Sequence, residues 1–234
     1  FFIIEIEMIE EEKTELLAAK LRKDLHLKKF KYPTANYQFK EKIEKIIGVE
    51  LKDLHKFLGS FDLIVNGRPI LVHKIFYANF EEKISKIYRD FIKYEISKIV
   101  PYPFYYQKIP TLRVGLPNNL FVGSFHKDSD FNHQGYEINF NLGLENYKQG
   151  EFMVEEVPNS GKYKHMDCLY GEIFSFNHMD CTHGAKPNKS NETMVSFDFR
   201  IAIKEDYFHS ENKSITNKTQ FIIGEYFSSE VFNK

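Results

Sequence analysis

The chain of 234 residues contains no tryptophan, only two cysteines and no surplus of either charge. Cys168 and Cys181 cannot build a disulfide framework and fit no zinc-finger spacing, so a reducing, cytoplasmic setting is expected, with both thiols as small buried residues. Lysine and arginine total 32 against 33 acidic residues, a net charge of −1. A nucleic-acid backbone needs a basic footprint, so no nucleic acid is expected as a partner. No apolar run reaches the roughly 18 residues that a membrane-spanning helix requires, so no membrane partner is expected either. Four Asn-x-Ser/Thr sequons, at Asn188, Asn191, Asn212 and Asn217, are what chance supplies in a chain this rich in asparagine. The sequence opens on Phe1 rather than methionine, and preceding residues are expected to exist.

What is abundant is aromatic: 23 phenylalanines and 14 tyrosines, stiff side chains that suit sheets with one buried face. Phe2, Ile4, Ile6 and Met8 alternate as a strand. Helical spacing follows over Glu10–Asp24, over Lys40–Leu58 up to the stop signal Gly59, and over Phe80–Val100 up to Pro101. A short strand, Phe61–Val65, ends in an Asn66-Gly67 turn. From Thr111 the text changes to β-branched and aromatic runs separated by turn residues. The predicted strands are Thr111–Leu116, Leu120–His126, Tyr136–Leu142, Glu151–Val157, Glu172–His178 and Thr193–Ile203. Helices first and strands second is the α+β order, with helices packed on one outer face of a two-sheet β core. One domain is expected over 1–234, with a mainly helical part (1–109), a motif-bearing core (110–204) and a C-terminal extension (205–234). Parity divides the last strand into a greasy face (Val195, Phe197, Phe199, Ile201) and a polar one (Met194, Ser196, Asp198, Arg200). Likewise Tyr136, Ile138, Phe140 and Leu142 oppose Glu137, Asn139 and Asn141. Each polar face either meets solvent or lines a site inside the barrel.

His126-Lys127-Asp128 closes a predicted strand, and period-two geometry puts His126 and Asp128 on one face. His183 follows the strand Glu172–His178. Two histidines and one carboxylate, with open cis positions, form the ligand set of non-haem Fe(II) oxygen chemistry. The chain has two more His-x-Asp pairs, His165–Asp167 and His178–Asp180. His165 is too near His183 for the intervening strands of a metal barrel. His178 and Asp180 read as a turn or as support for the ligands, with His178 held open as an alternative to His183. His133 and Gln134, in the loop after the first ligands, are candidates for substrate contact.

Over roughly 110–204 the sequence resembles the phytanoyl-CoA-hydroxylase-like branch of the Fe(II)/2-oxoglutarate-dependent dioxygenases, and within it the hydroxylase-like proteins of the streptomycin-biosynthesis type. The likeness is carried by Leu112-Arg113-Val114, Phe125-His126-Lys127-Asp128, Gly171-Glu172 with Phe176, His183-Gly184, Asn188, and the run from Thr193 to Arg200. It implies a double-stranded β-helix (jelly roll) core, with His126, Asp128 and His183 holding Fe(II). It also implies 2-oxoglutarate and O₂ as co-substrates, release of CO₂ and succinate, and a small biosynthetic metabolite, such as a sugar or amino-acid derivative, as the substrate to be hydroxylated or desaturated. An aspartate ligand favours hydroxylation over halogenation.

The chain departs from many relatives at Met194, where they carry an arginine for the distal carboxylate of 2-oxoglutarate. Arg200 is then the expected anchor, its planar fork matching a carboxylate, with Ser196 assisting. Arg113 is either a structural ion-pair partner or the anchor in its place, and Asn139 faces the same interior. The rival to an oxygenase is a cupin-like metal-dependent isomerase or metal-binding module that does not use 2-oxoglutarate.

Overall fold

The computed structural model describes residues 15–57, 64–65, 68–119, 124–146, 152–214 and 218–233. Its helices are α1 (Leu17–Leu25), α2 (Phe39–Ile47), α3 (Leu54–Phe57), α4 (Ile70–Lys83), α5 (Ser85–Phe91) and α6 (Ser97–Ile99). The strands are β1 (Lys28–Lys31), β2 (Ile64–Val65), β3 (Arg68–Pro69), β4 (Phe104–Tyr106), β5 (Thr111–Gly115), β6 (Glu137–Gly143), β7 (Phe152–Glu155), β8 (Tyr163–His165), β9 (Glu172–Phe176), β10 (His183–Ala185) and β11 (Met194–Ile203).

The expected helix over Lys40–Leu58 is two helices and a 3₁₀ turn. It breaks because Gly48 adopts φ 86°, a left-handed cap that ends α2. The expected helix over Phe80–Val100 begins ten residues earlier, at Ile70, is interrupted at Ile84, and carries a π-helical turn over Ile92–Ile96. The expected strand Phe2–Met8 and the turn Asn66-Gly67 lie outside the described residues, as do Glu10–Thr14 of the first predicted helix, Phe61–Leu63 of the short strand and 120–123 of the strand before His126. The five other long strands appear within two residues of expectation at each end. Four short ones, β1, β4, β8 and β10, have too few residues to show a period.

The main sheet runs β1-β9-β6-β11-β4, with β5 pairing the other half of β11, and all its pairings are antiparallel. A second antiparallel sheet, β10-β7-β8, stands against it. Phe152 of β7 meets Phe174 and Phe176 of β9 at centroid separations of 5.8 and 5.5 Å. The greasy face of β11 takes the helices: Phe197 lies 5.5 Å from Phe39 of α2 and 5.6 Å from Phe76 of α4, and Phe199 lies 5.8 Å from Tyr88 of α5. Every residue of β6 and β11 is buried, on both parities. Their polar faces therefore point into the molecule rather than to solvent. The C-terminal segment pairs with β4 through Phe104–Phe232 bridging and brings Tyr226 to the polar interior. No helix among the described residues is long and apolar enough to cross a membrane.

Candidate metal centre

The backbone brings the first two histidines together. His126 and His183 form an isolated antiparallel bridge in which each amide donates to the other's carbonyl at 2.9 Å. The approach is close enough to require glycine next door. A Cβ on Gly184 would sit 2.9 Å from Phe125 Cα and 3.0 Å from its amide nitrogen. Asp128 opens a 3₁₀ turn, and its amide donates to the His178 carbonyl at 2.9 Å.

Asp128 Oδ1 lies 3.4 Å from His126 Nε2 and 3.3 Å from His183 Nε2, and one ligand atom from each residue falls within 4.8 Å of the others. Neighbouring ligands of one ion, each at about 2.1 Å from it, stand about 3 Å apart, so the spacing suits a single centre. The tautomers agree. His126 Nδ1 is 2.6 Å from the Ser124 carbonyl and His183 Nδ1 is 3.1 Å from the Cys181 carbonyl. A carbonyl only accepts, so each Nδ1 carries the proton and each Nε2 presents a lone pair. Three lone-pair atoms thus converge on one point. That arrangement is repulsive alone and satisfied by a cation.

The expected site residues occupy one polar interior. Arg200 Nη2 donates to Asp128 Oδ2 at 2.6 Å, its Nε is 3.5 Å from Glu137 Oε2, and its Nη1 is 3.6 Å from Asp198 Oδ1. Arg113 pairs with Asp198, through Nε at 3.2 Å, while a quarter of its side chain remains exposed. Asn139, in the amide orientation that satisfies both its ends, donates to Asp198 Oδ1 at 2.7 Å. Ser196 Oγ is buried and has no hydrogen-bond partner among the described residues. Phe152 and Phe176 form the apolar wall beside His183.

The other histidines lie elsewhere. His165 is exposed on β8. His178 is fully buried, with Nδ1 at 3.1 Å from Asp128 Oδ2, behind the carboxylate rather than in the triad. His133 and Gln134 both hold Glu137: His133 Nδ1 lies 2.8 Å from Oε2, and the Gln134 amide donates to Oε1 at 2.8 Å. Asn188 bonds the Gly115 and Glu192 carbonyls and shapes a turn. Cys168 and Cys181 are buried, and the Cys168 thiol donates to the Glu172 carbonyl at 3.5 Å. The role of Glu137 was visible only as parity with Asn139 and Asn141. Tyr226 and Gln107, which bond each other at 3.0 Å beside Arg200, lie in segments without any motif.

Burial alone would raise the carboxyl pKa values here, yet all three are lowered. Arg200 holds Asp128 well below the usual range, His133 and Arg200 lower Glu137, and Arg200 with Arg113 lowers Asp198. Burial also opposes the charged form of His126, but Asp128 and the Ser124 carbonyl outweigh it and raise its pKa. A carboxyl with a depressed folded-state pKa contributes stability above its unfolded value, about 4, and loses it as pH falls through the folded value. The carboxylates' contribution to the thermal midpoint of the metal-free protein should therefore be constant above about pH 5 and drop steeply below about pH 4. Replacing Glu137 by glutamine should flatten that drop, and an unchanged acid limb in Glu137→Gln would deny Glu137 a share in it.

Side chains arranged in this way could hold a single metal ion inside a helix-backed, two-sheet β protein. The chain belongs to the family of the streptomycin biosynthesis protein StrG of Streptomyces griseus, to which it is 33% identical over 158 residues, spanning 67% of this chain and 75% of that protein. This bears out the resemblance read from the motifs. No protein-family model matches the chain. Solved structures with a related outline include the non-heme alpha-ketoglutarate-dependent carbocyclase SnoK from nogalamycin biosynthesis, at 10% identity over 80% of this chain and 83% of that one, with a TM-score of 0.48. The non-heme monooxygenase ThoJ, in its nickel complex, aligns at 9% identity over 78% and 77% of the two chains, with a TM-score of 0.43.

Proposed function

We propose that the protein is an Fe(II)- and 2-oxoglutarate-dependent oxygenase with a double-stranded β-helix core that hydroxylates or desaturates a small biosynthetic metabolite. The observation that carries this reading is the convergence of His126 Nε2, His183 Nε2 and Asp128 Oδ1, with both histidine tautomers set for ligation. His126, Asp128 and His183 would hold the iron on one side and leave adjacent positions open. When bound, iron supplies O₂ activation, coupled to oxidation of 2-oxoglutarate to succinate and CO₂, with the second oxygen atom going to substrate or to water.

The chain's own residues do the binding. A co-substrate carboxylate buried in this pocket needs a cation within hydrogen-bond range. Arg200 is the expectation from the sequence, but its guanidinium already donates to Asp128 and Tyr226 and has Glu137 and Asp198 within 3.6 Å, which leaves its Nε as the one group without a hydrogen bond among the described residues. Arg113 has one carboxylate partner and retains exposure toward the pocket. It faces Ser196 in the β5–β11 register, one step from Met194, and the Ser196 hydroxyl is free of other bonds among the described residues. The proposal therefore assigns the distal carboxylate to Arg113 with Ser196. Phe152 and Phe176 keep water from that side of His183.

Anaerobic titration tests both parts. The protein loaded with Fe(II) should develop a weak visible charge-transfer band on adding 2-oxoglutarate. Arg113→Ala should raise the concentration needed by about ten- to hundredfold, the equivalent of lost charge-assisted bonds of roughly 1.5–3 kcal/mol, while iron still binds. Iron binding without any 2-oxoglutarate response in the wild type would turn the reading toward the isomerase-like alternative.

A further inference from the structure

Asp128 has two oxygens with separate tasks. Oδ1 faces the two Nε2 atoms, while Oδ2 accepts from Arg200 Nη2 at 2.6 Å and contacts His178 Nδ1 at 3.1 Å. Neither partner is free to leave. Arg200 is buried, with Glu137, Asp198 and Tyr226 around its guanidinium, and its amide donates to Gln107 Oε1 at 3.0 Å. His178 has no exposed surface, and its Nε2 lies 3.2 Å from the Glu137 carbonyl. Both of its ring nitrogens face acceptors, and a neutral imidazole has one proton to give. The charged acceptor makes the stronger bond, so Nδ1–H donates to Asp128.

We propose that Arg200 and His178 act together as positioning residues that pin Asp128 Oδ2, so that Asp128 offers the metal a single oxygen. The inference rests on the metal reading given above. Turning Oδ2 toward the metal would break both bonds and leave a buried guanidinium short of a partner. An aspartate without this clamp can chelate through both oxygens and would fill one of the positions that the co-substrate and O₂ need. The sequence places Arg200 on the polar parity of β11 and His178 just after β9, so two strands of the main sheet deliver the clamp from behind the carboxylate.

Mn(II) is a suitable probe, because water-proton relaxation counts the exchangeable waters on the bound ion without turnover. The wild type should bind Mn(II) with about three such waters. His178→Phe and Arg200→Met should weaken Mn(II) about ten- to hundredfold, and the bound fraction should retain about two waters. His178→Asn, whose amide NH₂ reaches the place of Nδ1–H, should recover most of the affinity and the wild-type water count. A residue that only fills space would not be rescued by asparagine, nor would it change the water count. Should Arg200→Met fail to fold, as judged by circular dichroism, the His178 pair decides the matter. Wild-type affinity and hydration in His178→Phe would overturn the clamp while leaving the metal site standing. Absence of Mn(II) binding in the wild type would overturn the metal reading and this inference with it.

Discussion

Alanine at His126, Asp128 or His183 is expected to abolish stoichiometric Fe(II) binding, and with it any 2-oxoglutarate-dependent turnover, while the protein stays folded. Among the described residues three ligand atoms meet here, one from each, so loss of any one leaves two donors, too few to hold a labile ferrous ion in place. The histidine variants should cost little stability, because the backbone bridge between 126 and 183 does not depend on either ring. Asp128→Ala should cost more, since it strips a carboxylate from buried Arg200, although Asp198 and Glu137 still neutralise that guanidinium. His165→Ala, on the exposed strand β8, should bind iron like the wild type. Metal content after equilibrium dialysis, measured beside circular dichroism, separates these cases. Iron retained by His183→Ala and lost by His178→Ala would move the distal role to His178.

The triad was legible in the sequence because ligand geometry is local on one side: His126 and Asp128 are two residues apart, and His183 follows a strand whose own pattern is plain. The division of β11 into a greasy face and a polar face was also legible, since apolar and polar residues alternate strictly from Val195 to Ile201. What alternation cannot say is what lies across the polar face. Glu137, Asp198 and Arg200 read equally well as solvent-facing charges, and only the second sheet and the C-terminal segment make them a buried network. The distance from Arg200 to Asp128 depends on how 128 folds back under β11, which no periodicity encodes. The same holds for the helices. The pattern marked Phe80–Val100, yet the helical run starts at Ile70, where the spacing of apolar residues is too even to favour one face. The break after α2, at Gly48, is a single left-handed residue inside an otherwise continuous apolar stripe.

Phe197→Ala should be the most damaging change outside the metal ligands. Phe197 has no exposed surface, and its ring meets Phe39 and Phe76 at 5.5 and 5.6 Å, so it joins α2 and α4 to the middle of the main sheet. Removing a buried phenyl ring costs about 3–5 kcal/mol through lost transfer energy and the cavity left behind. A domain with stability of about 5–15 kcal/mol loses a large fraction of it. Rigid strands pass the damage on. Ser196 and Asp198 flank Phe197 on the opposite parity, and Asp198 holds Arg113 and Arg200, so a loosened β11 disturbs the cations on both sides of the pocket. Urea unfolding should show a lower midpoint with an unchanged slope, and 2-oxoglutarate affinity should fall along with stability. Phe197→Leu, which leaves a smaller void, should lose less on both counts. Val157→Ala, at a side chain 61% exposed, should stay within about 0.5 kcal/mol of the wild type. A loss in Phe197→Ala no larger than that of Val157→Ala would mean that the helical layer does not hold the site-bearing strand, and that its packing is maintained from the second sheet instead.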